Sequence, residues 1–240
     1  MRIEEFIESS NKAQSVEELF ALFKKEMSRL GFDRIIFSLM TDHTQIKRQA
    51  GHGIMLNYPS DWMAHYISNN YLDLDPVRSH IHIADNVFVW DDLIQKFPLS
   101  KKQISCLDQG REAGLRDGIG IPLRGPNGAI AAIGAASSAG GVDLDRNTTS
   151  YVNLISYQFY TAFLALERIG PTRHVIRLTD REREVLQWCA RGKTRWEIGA
   201  IMGISENTVI YHLKNAFKKL ECNNITAAVL KALYAGLIQL

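Results

Sequence analysis

The sequence has little that would tie it to an enzyme, a membrane or a disulfide scaffold. Three of its 240 residues are cysteines, Cys106, Cys189 and Cys222. They lie far apart and form no CxxC or Cys/His ligand pattern, so reduced thiols are expected. No run approaches the roughly 18 apolar residues of a membrane-spanning helix. Residues 1–10 are acidic and polar, without the apolar stretch of a secretory signal, and a cytoplasmic location is expected. No GxSxG, P-loop or GxGxxG occurs. His80 and His82 have no third metal ligand at a recognisable spacing. The early acidic cluster of a phosphorylated receiver domain is also missing. These gaps argue against an enzyme and against a resident cofactor or metal.

What the chain does have is ordinary globular composition, 46% hydrophobic and 22% charged, enough for one or two domains. Its charge is uneven. Residues 1–170 carry 17 Lys/Arg and 20 Asp/Glu, net −3, while residues 171–240 carry 11 and 6, net +5. A basic module beside a slightly acidic one fits a phosphate-backbone binder with a separate sensor; a solvated basic face would look the same. Gly170-Pro171-Thr172-Arg173 interrupts the helical pattern. The expected organisation is a domain at 1–169, a linker at 170–176 and a second domain at 177–240.

The first domain alternates helices and strands. Helices are expected near 3–10 and 15–30. The second is opened by a capping box, Ser15 with Glu18, and carries an apolar stripe of Leu19, Leu22, Phe23 and Met27. Strands are expected at 34–40 and 48–55, a helix at 61–70, a strand at 86–90 and a helix at 100–113. Strands 118–123 and 129–136 are joined by Arg124-Gly-Pro-Asn-Gly128 and read as a hairpin. A long helix at 145–168 follows. The second domain shows helical patterns only. The fold class is therefore α+β, with an antiparallel sheet flanked by helices and a small all-α domain.

In the second domain Thr179 and Glu182 form a capping box ahead of Val185, Leu186, Cys189 and Ala190. Gly192 stops that helix. Thr194 starts another, in which Ile198, Ile201 and Met202 are expected to face inward. Gly203-Ile204-Ser205 makes a tight turn, and Ser205 caps a third helix, 206–220. Two helices joined through a glycine turn are a helix-turn-helix unit. Val209, Leu213, Ala216 and Leu220 share one face of the third helix. Asn207, Ile210, Tyr211, Lys214 and Lys218 lie on the others, a pattern suited to the DNA major groove. A last helix, 225–238, is apolar enough to cover this core or to form a dimer contact.

The first domain also holds an aromatic cluster: Tyr58, Trp62, Tyr66, Tyr71 and Trp90, with Asp75-Pro76 between. Trp62 and Tyr66 share a helix face. Buried phenol and indole groups need hydrogen-bond partners, which a ligand carbonyl can supply, and a buried carboxylate can accept from an amide N–H. A plain aromatic core with a capping aspartate explains the same residues, and composition alone favours that reading.

Both domains carry a more specific signal. Leu178-Thr-Asp-Arg-Glu-Arg-Glu-Val-Leu186, Gly192-Lys-Thr, Glu197-Ile-Gly, Ile204-Ser, Thr208-Val and Lys219-Leu220 resemble the DNA-binding domain of LuxR-type regulators. Asn57-Tyr-Pro-Ser-Asp-Trp62, Tyr66, Asp75-Pro76, Trp90, Gly114-Leu-Arg-Asp-Gly118 and Ile121-Pro-Leu-Arg-Gly125 resemble the autoinducer-binding domain of quorum-sensing members. The resemblance implies an α-β-α sandwich that binds an acyl-homoserine lactone. By motif, the Trp62 indole would donate to the lactone carbonyl. Asp75 would accept the amide N–H, and Tyr58 would donate to the acyl carbonyl. Tyr66 and Trp90 would pack around the lactone, with Gly118 allowing close approach. Ile36, Ser38 and Met40 alternate onto one strand face and join the candidate lining. Gly134 stands where several family members have a serine or threonine. Its strand is small or aliphatic throughout, which would remove a polar contact and widen the pocket.

The same resemblance places Ile210, Tyr211 and Lys214 nearest the bases, with Lys214 suited to guanine and Ile210 departing from the usual polar residue. Lys193, Thr194, Ser205, Asn207 and Lys218 are candidates for phosphate contacts. It implies a homodimer, with helix 145–168 and the last helix as contacts, acting on double-stranded DNA and on RNA polymerase. The rival from another class is a ligand-independent or protein-regulated DNA-binding factor whose first domain only oligomerises.

Overall fold

The computed structural model describes residues 3–167 and 176–239. The expected linker, 170–176, lies outside the described residues except for its last position, and so does Arg168 at the end of the expected long helix. The described residues fall into two compact units.

The first unit runs α1 (Ile3–Lys12), α2 (Val16–Arg29), β1 (Arg34–Leu39), β2 (Gly51–Leu56), α3 (Ser60–Ser68), α4 (Tyr71–Leu74) and α5 (Pro76–Ile81). It continues with β3 (Phe88–Val89), α6 (Trp90–Lys96), α7 (Lys101–Glu112), β4 (Arg116–Arg124), β5 (Ile130–Ser137) and α8 (Arg146–Leu166). The strands form one antiparallel sheet in the order β2-β1-β5-β4-β3. Side chains alternate across it. Ile35, Phe37 and Leu39 of β1, Ile119, Ile121 and Leu123 of β4, and Ala131, Ile133 and Ala135 of β5 face one side. There they pack with Phe6, Leu19, Phe23, Phe159 and Phe163 of α1, α2 and α8. The Phe37 ring meets Phe159 and Phe163 edge-on at 5.1 and 5.0 Å. Each such buried side chain stabilises the unit by about 1.5–3 kcal/mol.

The other face of the central strands is nearly bare: Gly118 and Gly120 on β4, then Ala132, Gly134 and Ala136 on β5. Helices α3 to α7 cover it through two smaller clusters, one around Trp62, Tyr66, Tyr71, Cys106 and Leu115, the other around Met40, Ile81 and Phe88. The layers are helix, sheet, helix, as the resemblance implied.

Several local expectations are corrected. The strand expected at 48–55 begins at Gly51, because residues 44–46 form a 3-10 turn closed by a His43–Arg48 bridge. Glu18 does not complete a box on Ser15. Ser15 Oγ accepts from Glu18 N, but the Glu18 carboxylate takes the N–H of Gln14. The strand expected at 86–90 has only two residues, and Trp90 starts a helix instead. Helices α4 and α5 were not anticipated. At four and six residues they are too short to show a period, and α5 exists because Asp75 caps it and Pro76 fits its first turn.

The second unit comprises α9 (Asp180–Ala190), α10 (Arg195–Met202), α11 (Glu206–Leu220) and α12 (Ile225–Tyr234). Val185, Leu186, Ile198, Val209, Leu213, Ala216 and Leu220 form its core with Ala228 and Ala232. Thr179 with Glu182, and Thr194 with Glu197, form complete capping boxes. Gly203 ends α10 in the left-handed conformation (φ 65°), which favours glycine. Ile201 was expected inside and is 47% exposed. The inner face of α10 runs through buried Ile198 and Gly199 and partly buried Met202, and Ile201 points roughly 100° away from it.

Candidate functional site

The first unit holds a cavity of about 80 Å³ between the bare sheet face and the helices covering it. Asn57 fixes one wall. Its Oδ1 accepts from Ile35 N at 2.6 Å and its Nδ2 donates to Asp33 O at 2.8 Å, so the chain leaves β2 pinned to β1 just before Tyr58. Helix α3 then turns Trp62 and Tyr66 inward, both buried, with rings 5.9 Å apart. The Trp90 ring lies on Gly118, where an added Cβ would stand 1.9 Å from Cε3.

All nine residues singled out in sequence for a ligand line this cavity. Ile36, Ser38 and Met40 come from β1 and its end, and Tyr58, Trp62 and Tyr66 from the approach to α3 and α3 itself. Asp75, Trp90 and Gly134 complete the set. Asp75 serves two structures at once. Its Oδ1 accepts from Val77 N at 2.8 Å, capping α5, and its Oδ2 accepts from the Tyr66 hydroxyl at 2.7 Å. Burial pushes its carboxyl up from the usual aspartate range, against the hydrogen bonds and the Arg78 charge that pull it down. Two polar atoms in the lining, Tyr58 Oη and Trp90 Nε1, are buried without a hydrogen-bond partner in the protein. Burial holds the Tyr58 phenol neutral, a donor without an acceptor. Each such atom costs roughly 1–3 kcal/mol until something satisfies it.

Gly134 does not open the space expected of it. A Cβ there would come within 2.9 Å of both Tyr58 Oη and Ile36 Cγ2, so those groups already occupy the room a side chain would take.

Sequence reasoning passed over His52, Arg78 and Cys106, which also line the cavity. Arg78 had a signal, three residues past Asp75 on a helix whose cap the aspartate supplies. His52 is flanked by Gly51 and Gly53, which hid the alternation of β2. Cys106 gave none. Burial first, then the charge of Arg78, pushes the His52 imidazole down to about 4, so it is neutral at physiological pH.

In the second unit Asn207, Tyr211, Lys214 and Lys218 are exposed on α11, opposite its buried stripe, and Ile210 is half-buried beside them. The other candidates sit at helix starts. Ser205 Oγ caps α11, accepting from Thr208 N at 3.1 Å. Thr194 Oγ1 is held in the α10 box, and Lys193 pairs with Glu197 at 3.2 Å. Their hydroxyls are committed to these caps. Among the described residues no helix is long and apolar enough to cross a membrane.

A layered unit with a lined internal cavity, in one chain with a helix-turn-helix unit, defines a class of small-molecule-responsive transcription regulators. The comparisons agree. Residues 15–162 match the autoinducer binding domain model, and residues 177–232 match that of the bacterial regulatory proteins of the luxR family. The quorum sensing-dependent transcriptional regulator RpaR of Rhodopseudomonas palustris is 35% identical over 98% of this chain and 94% of its own. The quorum-sensing regulator RhlR of Pseudomonas aeruginosa is 32% identical over 92% of this chain and 89% of its own. The crystal structure of Escherichia coli SdiA superposes with a TM-score of 0.68 at 26% identity, covering 99% of this chain and 98% of that one. The chain belongs to the LuxR family of quorum-sensing transcription regulators. These relatives are transcription regulators, not enzymes.

Proposed function

We propose that the cavity binds an acyl-homoserine lactone and that binding alters the affinity of a homodimer for a dyad-symmetric promoter site. The carrying observation is the pair of unsatisfied buried donors, Tyr58 Oη and Trp90 Nε1, in the same cavity lining as a carboxylate acceptor, Asp75. An acyl amide offers what they need: carbonyl oxygens to accept and one N–H to donate. Trp62 donates to the lactone carbonyl, Asp75 accepts the amide N–H, and Tyr58 donates to the acyl carbonyl. Tyr66 packs on the ring. Trp90 packs there too, and its free N–H adds a donor.

In the second unit Ile210, Tyr211 and Lys214 read base edges from α11. Lys193, Thr194, Ser205, Asn207 and Lys218 contact phosphates. Exposed Leu154 of α8 and Leu230 of α12 supply dimer contacts. The sensor is residues 1–169, joined by a linker at 170–176 to the DNA-binding domain at 177–240. RNA polymerase is the further partner of the promoter-bound dimer, in the cytoplasm.

Calorimetric titration of the full chain with lactones of graded acyl length tests the sensor, with DNA binding measured alongside. At least one member binds and shifts DNA affinity. W62A and D75N lose that response at least tenfold, as expected when a charge-assisted or buried hydrogen bond is removed. If no lactone binds and DNA binding ignores them all, the ligand-independent reading takes its place.

A further inference from the structure

The Trp62 indole, the donor assigned to the lactone carbonyl, is braced by residues outside the cavity lining. It rests on Gly110 of α7, where an added Cβ would meet its Cζ2 at 3.4 Å. Two rings stand against it, His65 of α3 at 5.9 Å and Tyr71 of α4 at 6.2 Å between centroids. Those two rings are 5.8 Å from each other. Neither belongs to the cavity lining, and neither does Gln109 of α7.

The two rings meet at one atom of Gln109. Its Oε1 accepts from His65 Nε2 at 2.6 Å and from the Tyr71 hydroxyl at 2.9 Å. An amide oxygen only accepts, so the His65 proton sits on Nε2. Gln109 Nε2 donates to Ser105 Oγ at 2.8 Å, one turn back on α7, which fixes the way the amide points. One side chain thus ties α3 and α4 to α7, beside the glycine on which the indole rests. Helix α4 needs the tie. It has four residues and follows Asn70, which is in the left-handed conformation (φ 54°). So short a helix does not hold its own place.

We propose that Gln109 is a positioning residue for lactone recognition: through His65 and Tyr71 it sets the angle at which the Trp62 N–H meets the lactone carbonyl. This rests on the lactone reading and adds to it a residue that does not touch the ligand. A hydrogen bond weakens steeply as its donor tilts. An indole free to rock therefore loses the carbonyl contact first and leaves the amide and acyl contacts in place. If the network only braced three helices, every contact in the cavity would suffer alike.

The test pairs N-acyl-L-homoserine lactones of graded chain length with the N-cyclopentyl amides of the same acyl groups. The amides keep the N–H and the five-membered ring but have no ring carbonyl. Both are titrated against the full chain. For at least one pair the wild type binds the lactone about tenfold tighter, the worth of one buried hydrogen bond. In Q109L that advantage falls toward one, while the cyclopentyl amide binds as it does to the wild type. In Q109E, whose carboxylate still accepts from His65 and Tyr71, the advantage stays. Y71F keeps the ring, removes one donor and lowers the advantage part of the way; it decides alone should Q109L not fold. An advantage unchanged in the deciding variant overturns the proposal and leaves the lactone reading intact. Equal weakening of both ligands in Q109L, or an advantage lost in Q109E, also overturns it. No wild-type preference within any pair overturns it together with the Trp62 contact, while lactone binding itself stands. If no lactone binds the wild type, the lactone reading falls and the proposal with it.

Discussion

A side chain on the inner face of β4 or β5 would take the ground on which the cavity's aromatic rings stand. Gly118→Ala puts a carbon 1.9 Å from the Trp90 ring, which cannot bend away as an alkyl tip would. We expect a loss of roughly 1–3 kcal/mol in urea unfolding, together with weaker lactone binding. Gly134→Ser is expected to push against Tyr58 Oη and Ile36 and to weaken the lactone contact of Tyr58; a titration of the variant against the wild type measures this. Histidines give the same unit a pH dependence. His43 is fully buried, its Nδ1 donating to Thr41 O at 2.8 Å and its Nε2 accepting from Tyr160 at 2.7 Å. Burial pushes it down, and burial with the Arg78 charge pushes His52 down to about 4. Unfolded histidines take up protons near pH 6.5, before the folded ones do. Stability is therefore whole above that value and is lost as pH falls below it, for His52 down toward about 4, at up to roughly 1.4 kcal/mol per pH unit for each histidine. Asp75, raised by burial, acts in the opposite sense, but only nearer the carboxylate range. Melting temperatures measured from pH 7 to 5 should fall, and should fall less in His52→Gln.

At the scale of elements, ends are decided by a few side chains, and those were the parts most legible in sequence. Thr179 and Glu182 form the expected box on α9, and Glu182 is also bonded to Lys219 Nζ of α11 at 2.7 Å. Burial acts against ionisation of Glu182, but the bonds from Lys219 and Thr179 outweigh it and hold the carboxyl below the usual glutamate range. Thr179→Ala should cost about 1 kcal/mol, the worth of one cap. Glu182→Ala should cost more, about 1–3 kcal/mol, because it also strips a buried partner from Lys219; denaturant unfolding of the second unit separates the two. Short elements were not legible. Helix α5 is a cap, a proline and one turn, yet it carries Asp75 and Arg78 into the cavity. Val87, Phe88 and Val89 are residues that favour a strand, and Trp90 follows them directly. The acidic pair Asp91 and Asp92 instead favours a helix start there.

On the scale of the whole molecule, the two units have separate cores, one aromatic and sheet-backed, one of four helices. A lactone at about 100 times its Kd should stabilise the first by about 2.7 kcal/mol and leave the core of the second unchanged. Differential scanning calorimetry with and without ligand reads this as an upward shift of the first unit's transition alone. The net charge of +5 in residues 171–240 should make DNA affinity fall steeply with salt. Lys218→Ala should lower the log–log slope by about 1 without changing sequence preference, while Lys214→Ala should also relax preference at one base position.

The sequence by itself determined the helix-turn-helix unit, because its caps, glycine turn and apolar stripes are local and act within a few residues. It also determined the aromatic and acidic residues of the cavity, which the motif marks one by one. Only the tertiary structure decided what those residues do to each other. Tyr58 and Trp90 are left without partners, Asp75 is shared between a helix cap and Tyr66, and Tyr58 and Ile36 fill the space at Gly134. Ser38, His52 and Arg78 likewise meet in the lining although they are 14 to 40 positions apart along the chain. Such contacts depend on strand register and on the depth to which rings sink into a glycine-lined sheet face, and no local period in the sequence encodes either.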